Sequence, residues 1–428
     1  MKGKHRAQQS GGRSTGREER PMIYQAYQAQ VDMMTPVRAF ARAAAANLRT
    51  PAPFGVSELP ATMHAAAAFE MLSRAGLSHT RPAFNITSVN MDGVDVPVTE
   101  EAAMVTPFCT LLHFRKEVPF VRQPKVLLVA PMSGHFATLL RDTVATMLPA
   151  NDVYLTDWHN ARDIPLRAGR FGVDEHTDHV IGFMEHLGPG SHLVAVCQPG
   201  PQALVATALM AEDKNPALPR SLTIMAGPID VRVNPTVVDD LAADNPIEWF
   251  ERNVIGIVPW RYKGAGRRVY PGFVQLGAFL NMNLDRHVQS HFNLYSDLAA
   301  GETAAAEKTK EFYDEYFAVS DLPAEFYLET VQQIFQESLL PKGEFTHRGR
   351  PINLDAIRTT ALLTVEGERD DICAVGQTMA AHDLCKHLPD SLHRHHLQAG
   401  VGHFGVFSGR RWQHQVYPNI EQVILETS

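Results

Sequence analysis

The chain has 428 residues, of which 45% are hydrophobic and 20% charged, the composition of a globular protein with room for one large α/β domain carrying an insertion, or for two ordinary domains. The formal net charge of −8 argues against nucleic-acid binding, and no Lys/Arg stripe offsets it in the folded part. No run approaches the roughly eighteen apolar residues of a membrane span, so no such span is expected.

The four cysteines are too few and too irregularly spaced for a disulfide scaffold, and they show no CxxC pattern for zinc. We therefore interpret them as reduced thiols of a cytoplasmic protein. Two of them, Cys373 and Cys385, are expected on a helix as packing residues.

The first 21 residues are basic and rich in Gly, Ser and Gln, with no apolar core behind them. This pattern excludes a secretory signal peptide, and we expect residues 1–21 to be a disordered basic tail. Apolar and alanine positions then recur at helical spacing over Ile23–Leu48 and Ala61–Ala75. They predict two helices that pack on the outside of the core.

Strand and helix patterns alternate from Cys109 onward. Cys109–Phe114 alternates as a strand does and Lys125–Ala130 is an apolar run, so the sheet is expected to begin here. Further strands are predicted at Asp152–Trp158, Leu193–Val196 and Ser221–Pro228, and helices at Phe136–Val144, Val173–Leu187 and Gln202–Met210. This alternation predicts a doubly wound, mostly parallel sheet of the α/β class.

The stretch Ser191–Gly200 combines a buried strand, an abrupt stop at Cys197 and a turn that leads into a helix. A strand, nucleophile and helix in this order form the nucleophile elbow of α/β-hydrolases, with the Cys197 thiol as the reactive group. The motif departs from G-x-S-x-G, because Ala195 and Pro199 occupy the glycine positions and cysteine replaces serine. Taken alone, the segment slightly favours a buried core thiol.

Two later segments supply an acid and a base. After a helical, aromatic-rich stretch at 231–350, which predicts an inserted cap, a strand returns at Thr360–Gly367 and is followed by Asp370 and Asp371. The last strand, near His393–Leu397, is followed by a glycine-flanked His403. The domain prediction is therefore N-terminal helices with the first part of an α/β-hydrolase core over 22–230, the cap over 231–350, and the rest of the core over 351–428.

The order Cys197, Asp370, His403 is the nucleophile, acid and base order of the α/β-hydrolase fold. His403 would take the thiol proton, Asp370 would fix the imidazole tautomer, and an imidazolium beside Cys197 would favour its thiolate. The predicted chemistry is acyl transfer through a thioester. Asp371 is the rival to Asp370, which we prefer.

The loop Pro131–His135 follows a buried strand where this fold places one oxyanion-hole amide, and the residue after the nucleophile supplies the other. Met132 and Gln198 are the candidate donors. An ordinary βα turn explains the loop alone equally well. No metal site is predicted, because His393, His395 and His396 lack a third partner. No cofactor is predicted either, because there is no P-loop and no G-x-G-x-x-G in a βαβ context.

The sequence resembles the intracellular poly(3-hydroxybutyrate) depolymerases, which are similar in fold to polyhydroxyalkanoate synthases. The resemblance extends over about Met22–Tyr417 and excludes the basic tail. It is carried by the following segments: Val196–Gln202, Ala226–Asp230, Pro131–His135, Thr364–Ile372 and Gly402–Phe407.

The resemblance implies a cytoplasmic hydrolase with a cysteine nucleophile that works at the surface of polyester granules and releases 3-hydroxybutyrate or short oligomers. Its partner is then the granule surface, contacted through the cap. A homo-oligomer is among the states that the sequence leaves open. Two other functions also remain open, a polyester synthase-like acyltransferase and a non-catalytic granule-coat protein.

Overall fold

The computed structural model describes residues 23–51, 53–118, 122–282 and 284–428, so the predicted tail at 1–21 lies outside the described residues. Its strands are β1 Ser88–Met91, β2 Val94–Val105, β3 Cys109–Lys116, β4 Lys125–Val129, β5 Asp152–Trp158, β6 His192–Val196, β7 Ser221–Met225, β8 Gly256–Ile257, β9 Arg268–Tyr270, β10 Leu322–Pro323, β11 Thr346–His347, β12 Arg350–Pro351, β13 Ala361–Gly367 and β14 His393–Gln398.

A nine-stranded sheet forms the centre, in the order β1-β2-β3-β5-β4-β6-β7-β13-β14. From β5 to β14 in this order each strand is parallel to the next, whereas the pairs β1-β2, β2-β3 and β3-β5 are antiparallel. Every residue of β6, β7 and β13 is buried, as expected for parallel strands covered by helices. This is the sheet of an α/β-hydrolase, and the predicted fold class is confirmed.

The α-helices are α1 Ile23–Arg49, α2 Pro60–Arg74, α3 Arg141–Met147, α4 Val173–Leu187, α5 Gly200–Glu212, α6 Val237–Asp244, α7 Ile247–Asn253, α8 Gly272–Met282, α9 Leu284–Ala300, α10 Thr303–Tyr316, α11 Ala324–Thr330, α12 Leu339–Lys342, α13 Ala381–Leu384, α14 Gly409–Arg411 and α15 Tyr417–Thr427. Strand β5 and helix α4 have the ends that the sequence predicts. Helices α4, α5 and α15 pack on the parallel strands.

The expectation that the sheet begins at Cys109 is wrong, because the hairpin of β1 and β2 precedes it and adds two strands to its edge. The hairpin turns at Asp92 and Gly93, whose φ values are 50° and 86°. Asp-Gly is the dipeptide that favours such a two-residue turn. The Asp-Gly turn could therefore be recognised in the sequence. The strand β2 could not, because most of its residues are exposed and its hydrophobic alternation is weak.

The region 231–350 lies between the neighbouring strands β7 and β13 and contains helices α6 to α12. It also contains a small sheet, β10-β9-β8, and the hairpin of β11 and β12, which the sequence pattern did not indicate. Many of its aromatic rings pack on one another, as Tyr270 does on Tyr327 with ring centroids 3.8 Å apart. Short strands of two or three residues carry too little periodicity to be recognised.

Helices α1 and α2 pack largely on the region 231–350. The Tyr24 hydroxyl donates to the buried carboxylate of Asp321 at 2.6 Å, and Tyr27 stacks on Phe273 at 3.9 Å. Helix α2 also packs against α9. Within the described part of the chain, none of the helices combines the length and apolar character needed to cross a lipid bilayer.

Candidate active site

Cys197 stands at a sharp turn between strand β6 and helix α5. Its φ of +64° lies in the left-handed region, which is costly for a side-chain-bearing residue and is often found where a reactive group must be presented. The turn is held by two hydrogen bonds, from the Cys197 amide to the Met225 carbonyl at 2.7 Å and from the Gly200 amide to the Cys197 carbonyl at 3.0 Å. The elbow predicted from the sequence is therefore formed.

Two glycines allow the elbow to pack against the loop after β7. A Cβ at Gly227 would lie 2.6 Å from Ile224 Cγ2 and 3.2 Å from the Cys197 carbonyl oxygen, and one at Gly200 would lie 3.0 Å from Gly227 Cα. In G-x-S-x-G motifs the flanking glycines allow neighbouring backbones to approach the elbow closely. In this protein Gly200 and Gly227, the latter in the loop after β7, allow that approach. Sequence reasoning missed this role, because spacing along the chain does not show which backbones touch.

We expect Gly227→Ala to destabilise the protein by about 1–3 kcal/mol and to lower activity, because the new methyl group displaces the elbow. Gly182→Ala is the matched control, since a Cβ at this position in α4 meets nothing within 4 Å and alanine favours helix by up to about 1 kcal/mol. Thermal unfolding and ester turnover of both variants test this. A Gly227→Ala variant as stable and active as the wild type would show that the contact is easily relieved.

The predicted acid and base are in direct contact. His403 Nδ1 lies 2.8 Å from Asp370 Oδ2, and both side chains are buried. The other carboxylate oxygen, Oδ1, accepts the backbone amides of Ile372 and Cys373, both at 2.9 Å. These bonds fix the carboxylate, which in turn orients the imidazole and leaves Nε2 for Cys197, whose proximity contributes to the raised pKa of His403.

The electrostatics favour a charged imidazole. Burial by itself disfavours the imidazolium, but the neighbouring Asp370 carboxylate and Cys197 outweigh it and raise the pKa of His403 well above its ordinary value. Asp371, the rival carboxylate, is exposed and lies on the wall of the cavity in front of His403. Asp370 is thus the residue that the structure brings to the histidine.

A buried carboxylate that sequence reasoning did not single out supports the acid loop. Glu366, at the end of β13, has no exposed side-chain surface and accepts the backbone amides of Gly376, Thr378 and Met379 at 2.8–2.9 Å. Thr378 Oγ1 donates to the Gly227 carbonyl at 2.9 Å. Glu366 therefore fixes the loop that follows Asp370, and Thr378 of that loop contacts Gly227, which supports the elbow.

The two candidate oxyanion donors lie next to each other. The Met132 amide donates to the side-chain carbonyl oxygen of Gln198 at 3.3 Å. Both residues follow the carboxyl ends of neighbouring parallel strands, β4 and β6. The Met132 amide therefore already donates to the Gln198 side chain. A developing oxyanion would have to displace the Gln198 oxygen from that amide.

The other three cysteines are buried. Burial raises the pKa of Cys109 and of Cys373 well above the ordinary value and that of Cys385 to about 12. The predicted helix around Cys373 and Cys385 is wrong, since Cys373 lies in a bend and Cys385 follows the last residue of the short helix α13. All four cysteines are free thiols.

The histidines of β14 make hydrogen bonds with neighbouring polar groups, including His382 of helix α13. His393 Nδ1 contacts His382 Nδ1 at 2.7 Å, and His395 Nδ1 contacts Thr364 Oγ1 at 2.9 Å. Within residues 23–51, 53–118, 122–282 and 284–428, no group of three His, Cys, Asp or Glu side chains is placed to hold a metal ion.

Residues 226–428 match the family model described as "PHB de-polymerase C-terminus". This segment includes Asp370 and His403. It begins at residue 226 and therefore does not include Cys197. No curated protein matches the sequence.

Several solved structures are distantly similar. A meta-cleavage product hydrolase from Pseudomonas fluorescens IP01 is 15% identical, with 80% of this chain and 98% of that chain covered and a TM-score of 0.42. An epoxide hydrolase from Bacillus megaterium is 12% identical (79% and 99% covered, TM-score 0.43). A monoacylglycerol lipase from Paleococcus ferrophilus is also 12% identical (72% and 96% covered, TM-score 0.41). The strand order of the central sheet is what shows the α/β-hydrolase fold.

Proposed function

We propose that the chain, an ester hydrolase whose residues 226–428 match the PHB depolymerase C-terminus model, cleaves poly(3-hydroxybutyrate) through a Cys197-His403-Asp370 triad. The substrate is the polyester of cytoplasmic granules, and the products are 3-hydroxybutyrate or its short oligomers. The observation that carries the proposal is the 2.8 Å contact of His403 with Asp370, made by a ring whose pKa is raised by Asp370 and also by the nearby Cys197.

In the first half of the reaction, His403 Nε2 takes the thiol proton and the Cys197 sulfur attacks the ester carbonyl carbon. The oxyanion that forms is stabilised by the amides of Met132 and Gln198. When the carbonyl re-forms, the ester C–O bond breaks and His403 returns the proton to the departing alkoxide oxygen. One polyester fragment leaves as an alcohol, and the other remains as a thioester on Cys197.

In the second half, His403 takes a proton from a water molecule whose oxygen attacks the thioester carbonyl. The C–S bond then breaks, the sulfur recovers a proton from His403, and the second fragment leaves as a carboxylic acid. Asp370 stays ionised throughout and stabilises the imidazolium that exists in each half.

Purified protein with amorphous polyester granules and, separately, with 3-hydroxybutyryl-CoA tests this function. Soluble acid released from the granules supports hydrolysis. Polymer formed with release of CoA would instead establish the synthase-like acyltransferase, which needs the same three residues but a hydroxyl acceptor. Absence of both reactions in folded protein would leave the granule-coat alternative.

We expect iodoacetamide to alkylate Cys197 at least about a hundredfold faster than the other cysteines, because its thiol is partly exposed at the elbow whereas the other three are buried. Cys109, Cys373 and Cys385 are the internal controls, since they are buried and their pKa values are raised. Mass spectrometry of the time course gives the four rates. Equal rates at Cys197 and the other cysteines would support a structural thiol and a non-catalytic coat protein.

The cap supplies an apolar surface for the granule. Leu284, Val288 and Phe292 recur every four residues along α9 and are 46–65% exposed, so they form one stripe on the helix surface. We propose that this stripe contacts the polymer. Phe292→Ser should weaken granule binding several-fold and leave turnover of a short soluble ester nearly unchanged.

Phe40→Ser is the matched control, because Phe40 is exposed to a similar degree, 68% against 65% for Phe292, but lies on α1 outside the cap. Granule sedimentation measures binding for both variants. If Phe292→Ser and Phe40→Ser bound granules as well as the wild type, the polymer would be contacted elsewhere.

A further inference from the structure

The catalytic imidazole lies at one end of a series of aromatic rings that reaches the surface. His403 is 6.1 Å from Phe404, Phe404 is 6.4 Å from Tyr316, and Tyr316 stacks on Phe312 at 5.4 Å between ring centroids. Phe312 is 50% exposed. These rings line one cavity of about 800 Å³. They give an apolar, methyl-bearing chain a continuous surface from the solvent to the His403 imidazole.

The same cavity is bordered by an excess of positive charge. Among the described residues that line it, four are cations and one is a carboxylate: Arg286, Lys308, Arg369 and Arg411 against Asp371. Asp371 has an interaction partner of its own. The four cations come from four separate parts of the chain, namely α9, α10, the turn before Asp370 and helix α14, and all four are exposed.

A positively charged cavity is not needed to bind the interior of a polyester chain, because that interior is neutral. It is also unexpected in a protein whose net charge is −8. A local field of one sign in a cleft concentrates ligands of the opposite sign. The anion that a linear hydroxyacid polyester carries is the carboxylate at its acid end.

We propose that the cavity beside His403 binds the carboxylate end of linear hydroxyacid oligomers, so that the ester bond next to that end is cut first. The inference rests on the proposed function and specifies its substrate. In this binding mode the terminal hydroxyacid is the leaving alcohol: its oxygen takes the proton from His403 and it departs with its carboxylate. Water then hydrolyses the thioester, which leaves a new carboxylate end one unit shorter for the next cycle.

The test compares the linear trimer of 3-hydroxybutyrate with its methyl ester, which differ by one charge. We expect wild-type kcat/KM for the free acid to exceed that for the methyl ester by about tenfold at low salt, and the ratio to fall as salt screens the cations. Arg286→Gln combined with Lys308→Gln should lower the ratio by about fivefold or more, the scale of one to two exposed charge pairs.

Arg220→Gln is the control, since Arg220 is an exposed cation immediately before β7, at the opposite end of the sheet from Cys197, and its ratio should equal that of the wild type. Equal kcat/KM for acid and methyl ester, or granule hydrolysis without cleavage of either trimer, would overturn the inference and leave the proposed function standing. Failure to hydrolyse granules and both trimers would overturn the proposed function, and this inference with it.

Discussion

Replacing Cys197 with alanine should lower ester turnover by several orders of magnitude while the protein still folds. Deleting a triad nucleophile leaves only substrate binding and the oxyanion donors to act on the ester. Cys197 is partly exposed at the turn, so the lost sulfur leaves little cavity, and the destabilisation should be on the order of 1 kcal/mol. Single-turnover kinetics and thermal unfolding measure the two effects separately.

Cys197→Ser is the companion variant, because serine is nearly isosteric but its hydroxyl is a much weaker acid than a thiol. We expect strongly reduced activity that is abolished when His403 is also replaced, since the serine depends entirely on the imidazole as base. Wild-type rates in Cys197→Ala, with unchanged stability, would show that Cys197 is a core thiol and that the nucleophile lies elsewhere.

Asp370→Asn should lower kcat by about 10³–10⁴, the scale of loss when a triad acid can no longer hold the histidine tautomer. The structure gives the reason. Asp370 Oδ1 accepts two backbone amides, so an asparagine must keep its oxygen there and turn its NH₂ group toward His403. Nδ1 then has to accept that hydrogen bond, the ring proton moves to Nε2, and the imidazole cannot take the thiol proton.

Asp371→Asn is the matched control at the adjacent residue. Asp371 is exposed on the cavity wall, and we expect its kcat on a neutral ester to change by less than about threefold, as for removal of an exposed charge. Steady-state kinetics of both variants with a short neutral ester decide between the carboxylates. A larger loss in Asp371→Asn than in Asp370→Asn would exchange their assignments.

The sequence by itself determined the fold class and the order of the site. Buried parallel strands have long apolar runs, and β5 and α4 could be placed to the residue because their periodicity is uninterrupted. Cys197 and Asp370 each follow such a strand, His403 follows the more polar edge strand β14, and the carboxyl ends of parallel strands meet at one edge of the sheet. Their convergence could therefore be predicted without knowing any distance.

What only the tertiary structure decided depends on contacts between segments far apart in the chain. The choice of Asp370 over Asp371 follows from which carboxylate faces His403, and two adjacent residues have identical local patterns. The roles of Gly227 and Glu366 come from backbone groups that approach them across the fold. The cations around the cavity are scattered from Arg286 to Arg411, so their common field exists only once the cap and the sheet are packed together.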